Sequence, residues 1–464
     1  MGELLLYDTM EREVGPVGKT GGEFGIYCCG PTVYNYAHIG NFRTFLAVDL
    51  LVRVLELGGY GPRLVRNLTD IDDKSIAGSR ATGESLGAFT ARWTDIFRSD
   101  CKKLGLREPD VEPRATEHIK EQIELIERLL AKGMAYDRNG SVHFRIGAWP
   151  AYGRLSRLSE RELRAGDGEE GEKESPGDFV LWKATKESDG PVSYASPWGP
   201  GRPGWHIECS AMALRYLGTN FAIHCGGVDL CFPHHENEIA QTEAAMGQPM
   251  ARRWFHVAHL FLGGEKMSKS LGNLYTLNDI VQMGFRPVDL RYALLSGHYR
   301  QPLSFTVDSL RSAVGALGRI QERVWTLLDC VGELPPMAER FDILSAPWEA
   351  LLEDLNAPKA LGETFLHLKR SESGRMDPAD ARRELAEWQR LYYAFGLPWS
   401  AAREKQAPPP EEILALAQER QKARNGKDFA QSDRLREELA TRGWRVEDGG
   451  PDGYRLQRMP SLPR

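Results

Sequence analysis

The spacing of apolar positions changes character twice within the first seventy residues. Phe24-Gly-Ile-Tyr-Cys-Cys29 is a short continuous apolar run, the pattern of a strand buried on both faces. A loop rich in turn residues follows, Gly30-Pro-Thr-Val-Tyr-Asn-Tyr-Ala-His-Ile-Gly-Asn41. From Arg43 to Leu57 the period lengthens: Ala47, Leu50, Leu51 and Val54 recur at helical spacing, and Gly58-Gly59 ends the helix. Arg63–Thr69 reads as a second strand and leads into Asp70-Ile-Asp-Asp-Lys74. Strand, helix, strand in this order is a βαβ unit and calls for a parallel sheet. The loop leaving the first strand of such a sheet lies at its C-terminal edge, where nucleotides bind with their phosphates at the next helix N-terminus. His38 and Gly40 sit there, although a bare His-Ile-Gly is by itself an ordinary loop sequence.

Further along, a helix is predicted over Thr116–Lys132. The acidic, glycine-rich stretch Gly166–Pro176 reads as a mobile, solvated surface excursion. From 311 to 403 the pattern is helical throughout, with amphipathic runs at Ala313–Cys330, Pro347–Leu368 and Ala379–Phe395. Gln406-Ala-Pro-Pro-Pro410 is a stiff linker. Beyond it lie a helix reaching Lys422, a second over Phe429–Thr441 and a hairpin over Trp444–Leu456.

At 464 residues the chain is too long for one ordinary core, so two to four domains are expected. With 41% hydrophobic and 27% charged residues it has the composition of a soluble globular protein. Thr44–Leu57, the longest apolar stretch near the start, is broken by Asp49, Arg53 and Glu56 and cannot span a membrane. The opening residues are too acidic and too poor in apolar length for a signal peptide. Seven cysteines without a framework spacing point to a reducing, cytoplasmic setting. A net charge of −6 argues against a globally basic nucleic-acid binder but leaves room for a local basic face.

The densest chemistry lies in Gly204–Ala240, which holds three Cys and four His. His234 and Glu238 are four apart on a predicted helix and share a face, while His235 and Asn237 are expected to point elsewhere. An imidazole and a carboxylate on one face make half of a zinc site; Cys209 is a third candidate, and a fourth must come from outside this stretch. Downstream, Lys266-Met-Ser-Lys-Ser270 lies between glycines, a basic loop able to wrap a polyphosphate.

His-Ile-Gly after a first strand and Lys-Met-Ser-Lys-Ser further on resemble the two signature motifs of class I aminoacyl-tRNA synthetases. Six stretches narrow the resemblance to cysteinyl-tRNA synthetases: Tyr27–Tyr34, Val65–Lys74, Phe179–Lys183, Gly204–Ser210, Phe232–Gln241 and Leu294–Arg300. It runs to about residue 310, with a weaker match at the C-terminus. The resemblance implies an α/β fold: a Rossmann-like parallel-sheet catalytic domain with an insertion, then an α-helical bundle and a small C-terminal α+β anticodon-binding domain. The expected divisions are 1–112 and 199–250 for the catalytic halves and 113–198 for the insertion. They continue with 251–310 for the signature-loop region, 311–405 for the bundle and 406–464 for the anticodon domain.

The implied reaction joins L-cysteine to tRNA(Cys) through cysteinyl-adenylate, with ATP and Mg2+, in a cytoplasmic and monomeric enzyme. His38, Asn41, Lys266 and Lys269 would be catalytic, with Gly40 and Ser268 also on the nucleotide. The motif usually ends in His where Asn41 stands; Asn can donate a hydrogen bond but carries no charge. The family's zinc ligands map onto Cys29, Cys209, His234 and Glu238. Successive strand residues face opposite sides, so only one of Cys28 and Cys29 can reach the metal, and the family cysteine precedes Gly, which selects Cys29. Cys28, Cys225 and Cys231 are expected to be buried packing residues. Of the four ligands, the oxygen of Glu238 is the poorest match to a soft site and the one expected to loosen for a substrate thiol. Thr69, Trp205, His224 and Asp229 match substrate-pocket positions, while His206 and His235 resemble residues that orient ligands. Arg424, Phe429 and Asp433 match anticodon-reading positions, with Phe where the family usually has Trp. Residues 406–464 hold eleven Lys/Arg against ten Asp/Glu, so contact with tRNA there depends on placement. The competing readings are a cysteine ligase of mycothiol biosynthesis, which has no need of residues 406–464, and a catalytically silent tRNA-binding paralogue.

Overall fold

The computed structural model describes residues 2–19, 22–157, 173–262, 265–266, 274–371, 377–399, 409–449 and 453–458. Residues 166–172 of the acidic stretch, Ser268 and Lys269 of the basic loop, and 406–408 of the linker lie outside them. At the described end of the acidic stretch, Glu174, Ser175 and Pro176 are exposed, and Glu174 makes a surface ion pair with Arg145 at 3.0 Å.

Four parallel strands form the central sheet in the order Trp254–Val257, Ile223–Gly227, Phe24–Cys28, Pro62–Arg66. All five residues of Phe24–Cys28 are buried, which is why this stretch reads as a continuous apolar run. The second strand ends at Arg66, earlier than the apolar pattern suggests, and single bridges carry the pairing on to Leu68 and Thr69. The chain runs from the first strand outward to Pro62–Arg66 and later returns to the other side of the first strand. The sheet therefore has a topological switch point beside Cys28 and Gly227, the place where open α/β sheets leave a crevice.

The connecting helix starts at Ile39, earlier than the apolar period indicates, because His38 and Asn41 form a capping box. Midway along it, buried Asp49 meets fully buried Arg291 of the helix Pro287–Leu295. Arg291 also donates to the carbonyls of Leu104 at 3.0 Å and Phe395 at 2.6 Å, so one guanidinium ties the signature helix to the bundle. Gly396 (φ 58°) must be glycine, since a Cβ there would stand 2.0 Å from that guanidinium.

Between the first and later strands of the central sheet lies a separate antiparallel sheet: Ala135–Arg138, Ser141–Phe144 and Phe179–Ala184 from the expected insertion, closed by Gly201–Pro203 from just beyond its expected end at 198. The insertion's expected helix over Thr116–Lys132 is a 3-10 turn, Ala115–His118, followed by an α-helix, Ile119–Ala131. The bundle comprises Val307–Val331, Ser345–Leu352, Ala357–Ser371 and Pro378–Phe395. The helix predicted over Pro347–Leu368 is thus two. The break lies where Asp354 and Leu355 take positive φ (57° and 50°). There Asp354 leaves the helical path to accept from the Tyr7 amide at 2.9 Å and the Tyr299 hydroxyl at 2.5 Å. The terminal unit packs Glu411–Asn425 and Phe429–Thr441 against a hairpin of Trp444–Asp448 and Tyr454–Arg458. Among the described residues no helix is long and apolar enough to cross a membrane.

Candidate active site and metal centre

The signature loop is organised by its own side chains. His38 Nδ1 accepts from the Asn41 amide at 3.2 Å, and Asn41 Oδ1 accepts from the His38 amide at 3.1 Å. With Nδ1 accepting, a neutral His38 ring carries its proton on Nε2 and is a donor there. Asn41 uses its oxygen on the cap, so what it has to offer a ligand is its amide nitrogen. Gly40 is required because a Cβ would lie 2.9 Å from His38 Nδ1. The helix has no acidic residue in its first turn, which leaves its positive end uncompensated. The chain beyond the basic loop is pinned here as well: the Ile39 amide donates to Tyr275 at 2.8 Å, and His38 bridges Thr276. On its near side Lys266 pairs with Phe261 in a short antiparallel ladder.

Across the switch point, Cys29, Cys209, His234 and Glu238 come together, their ligand atoms all within 4.8 Å of one another and all four residues buried. Cys29 Sγ lies 3.9 Å from Cys209 Sγ and 3.6 Å from Glu238 Oε1, which is 3.0 Å from His234 Nε2. Three separate elements supply the four: the first strand's end, the helix Trp205–Leu217, and the segment running through Cys231–His235 into Glu236–Met246. The alternation argument holds, as Cys28 and Cys29 belong to different core clusters.

The electrostatics suit a cation. The hydrogen bond from Cys29 holds the Cys209 thiol down at about 6 against burial. Burial would lift Glu238, but the neighbouring His224 and His234 hold it well below the carboxylate range. Burial opposes charge on His234, yet Glu238 and Cys209 outweigh it and raise the ring to about 10. A thiolate, a carboxylate and an imidazolium together are net negative, and a divalent ion bound among them would displace the imidazole's proton.

A second set overlaps the first: Cys29, His224, His235 and Glu238. His235 therefore does not point away as the helical spacing suggested. Its Nε2 is 3.4 Å from Cys29 Sγ and 4.0 Å from Glu238 Oε1, since a residue three before Glu238 shares its helix face as one four before does. The outer hydrogen bonds distinguish the two sets. A ligating histidine normally engages its other nitrogen. His234 does so with His206 at 2.8 Å, and His235 with His256 at 2.8 Å. The buried Nδ1 of His224 has no partner, and its Nε2 is 2.8 Å from Glu238 Oε2. His224 thus orients Glu238, and the donor set with complete outer support is Cys29, Cys209, His234, Glu238.

Around this centre, Trp205 is 41% exposed and stacks on the His234 ring at 4.2 Å, forming its roof. Thr69 is buried and donates to Glu208 at 3.1 Å. Asp229 stands exposed in the turn after Ile223–Gly227. Cys225 is buried as expected; Cys231 is only half-buried, since it lies on the irregular turn leading to His234. In the terminal unit Phe429 is 61% exposed, Arg424 pairs with Asp448 at 2.8 Å, and Asp433 lies 3.6 Å from Arg436. Sequence reasoning missed Glu208, Glu236 and His256. Burial, with the neighbouring Cys209, pushes the Glu208 carboxyl well above the usual carboxylate range. His256 links His235 to the Thr9 hydroxyl at 2.8 Å.

The family model for the class I (C) tRNA synthetase catalytic domain matches residues 17–315, and that for the cysteinyl-tRNA ligase anticodon binding domain matches 409–454. Solved structures with the same fold include methionyl-tRNA synthetase of Mycobacterium tuberculosis with methionyl-adenylate. It has a TM-score of 0.58 at 17% identity, covering 80% of this chain and 88% of that one. The chain is a class I aminoacyl-tRNA synthetase by fold and signature motifs.

Its relatives place it more narrowly. It is 46% identical to the cysteine–tRNA ligase of Opitutus terrae over 98% of this chain and 99% of the relative. It is 42% identical to that of Methanosarcina mazei over 96% and 97%. The chain belongs to the cysteine–tRNA ligase family.

Proposed function

We propose that the chain activates L-cysteine with ATP to cysteinyl-adenylate and transfers the cysteinyl group to tRNA(Cys), releasing pyrophosphate and AMP. The observation that carries this reading is a thiol-rich donor quartet at the switch point of a sheet whose first strand runs on into a helix capped by His38. Cys29, Cys209, His234 and Glu238 would hold Zn2+, which when bound lowers the pKa of a substrate thiol and takes the thiolate as a ligand. His224 fixes Glu238, His206 fixes the His234 tautomer, and Trp205 covers the site. Thr69 and Asp229 would contact the amino acid or adenylate.

Adenylation builds charge on the α-phosphate, so the residues act by positioning and electrostatic stabilisation. His38 Nε2–H, the Asn41 amide and the helix N-terminus would hold one side, with Gly40 giving room. Lys266, Ser268 and Lys269 would close on the β- and γ-phosphates with Mg2+. Domain boundaries are proposed near 112, 198, 250, 310 and 405, with the bundle taking its first helix from Val307 and the insertion's sheet closing on Gly201–Pro203, and the enzyme is proposed to work as a cytoplasmic monomer. Arg424, Phe429 and Asp433 would meet the anticodon; an exposed phenyl ring can stack on a base without sequence preference. Charging of tRNA(Cys) with labelled cysteine tests the proposal: cysteine-specific, ATP-dependent acceptance is expected, and adenylate formation without transfer to any tRNA would contradict it.

A further inference from the structure

The helix Glu236–Met246 carries Glu238, and His234 lies just before it, yet no side chain caps its start. Phe232 is non-helical (φ −139°, ψ 134°). The insertion supplies the missing restraint. The Gly153 and Ser156 amides donate to the two carboxylate oxygens of Glu236 at 2.9 and 2.8 Å. The Tyr152 hydroxyl donates to Asn237 Oδ1 at 2.5 Å, and Arg154 pairs with Glu243 at 2.9 Å. Glu236 is 1% exposed, so this carboxylate is withdrawn from water on behalf of two backbone amides of another region. Next to Ser156, Arg157 donates to the Met10 carbonyl at 3.0 Å, in the turn between the antiparallel strands Leu5–Asp8 and Glu13–Pro16.

We propose that the turn 152–156 is a clamp that sets the position of the metal-bearing helix, with Glu236 and Tyr152 as its positioning residues. Cys29 and Cys209 are fixed by the sheet and by Trp205–Leu217. The distance from them to His234 and Glu238 depends on how the ligand helix is seated, and the clamp seats it. It thereby couples the insertion to the quartet that reads the substrate thiol. The inference rests on the metal reading above.

The test uses the zinc-loaded enzyme with Glu236→Gln and Tyr152→Phe. Glu236→Gln keeps the shape but turns one acceptor into a donor facing an N–H. Zinc release to a chromogenic chelator is expected to be about tenfold faster than in wild type, the size usual for loss of a residue that orients ligands. The cobalt-substituted variants are expected to show shifted d–d bands. KM for cysteine is expected to rise with KM for ATP unchanged. Should Glu236→Gln fail to fold, Tyr152→Phe carries the same readouts. Wild-type release rates and cobalt spectra in the variants, with only thermal stability lowered, would overturn the clamp. Absence of stoichiometric zinc from the wild-type enzyme would instead overturn the metal reading on which it stands.

Discussion

The adjacent cysteines at the end of the first strand permit a parallel test in which one substitution removes packing alone and the other packing plus a metal. Cys28 is 1% exposed on one side of the sheet, its thiol pushed up to about 12 by burial. Cys28→Ala deletes one buried sulfur and should cost about 1 kcal/mol, comparable to removing one methyl from a core. Cys29 is also buried, but its Sγ stands 3.6 Å from Glu238 and 3.9 Å from Cys209. Cys29→Ala should cost the same ~1 kcal/mol of packing and also forfeit metal linkage, which is about 4 kcal/mol when free zinc is a thousandfold above its Kd. Zinc content after dialysis and thermal unfolding with and without excess chelator read the two terms. The expected pattern is one zinc per chain in Cys28→Ala with a chelator-sensitive transition. Cys29→Ala should hold no zinc and unfold alike with or without chelator. Equal zinc loss in both, or loss only in Cys28→Ala, would refute the assignment of faces.

Three further outcomes are expected. Lys269→Ala should slow adenylation by orders of magnitude with little change in cysteine affinity, since the phosphate charge it meets develops in the transition state; a change confined to the KM for ATP would refute that role. Removal of residues 406–464 should leave cysteine-dependent pyrophosphate exchange nearly intact and impair tRNA charging, and unchanged charging would remove the anticodon reading. In the bundle, Glu384 is 4% exposed; burial would raise its pKa, but His367, Arg323 and Trp388 hold it at about 2 against an ordinary 4.5. A depressed folded-state pKa gives stability that is complete above about pH 4.5 and disappears as pH falls through about 2, so Glu384→Gln should cost roughly 3 kcal/mol at neutral pH and almost nothing near pH 2.

What the sequence disclosed depended on how local the deciding interaction was. The buried strand Phe24–Cys28 and the signature helix were legible because period and turn residues are local signals. Cys209, His234 and Glu238 could be picked out from ligand type and spacing, and Cys29 from resemblance to the family with strand alternation in support. His235 was misplaced because only the spacing of four was applied; three residues before Glu238 it lies on the same helix face, 4.0 Å from that carboxylate. The bundle break at Asp354 escaped notice because its cause is a set of partners, Tyr7, Tyr299 and Arg300, distant in sequence. Glu236 was overlooked for the same reason: within Pro-His-His-Glu-Asn-Glu it is one acid of two, and only the amides of Gly153 and Ser156 distinguish its task from that of Glu238.

The central claim is that the quartet lets the enzyme accept cysteine and refuse serine, which differs by one atom. A pocket working by shape alone gains only ~1–3 kcal/mol between near-isosteres. A thiolate-binding metal separates the two substrates further, because the hydroxyl is a far weaker acid and a harder ligand. The most direct measurement is amino-acid-dependent ATP–pyrophosphate exchange with cysteine and with serine, on the enzyme as purified, after zinc removal and after zinc is restored. Exchange with cysteine is expected to exceed that with serine by several orders of magnitude, to be lost on stripping and to recover with zinc. Cysteine-dependent exchange that survives complete zinc removal with its preference over serine intact would contradict it.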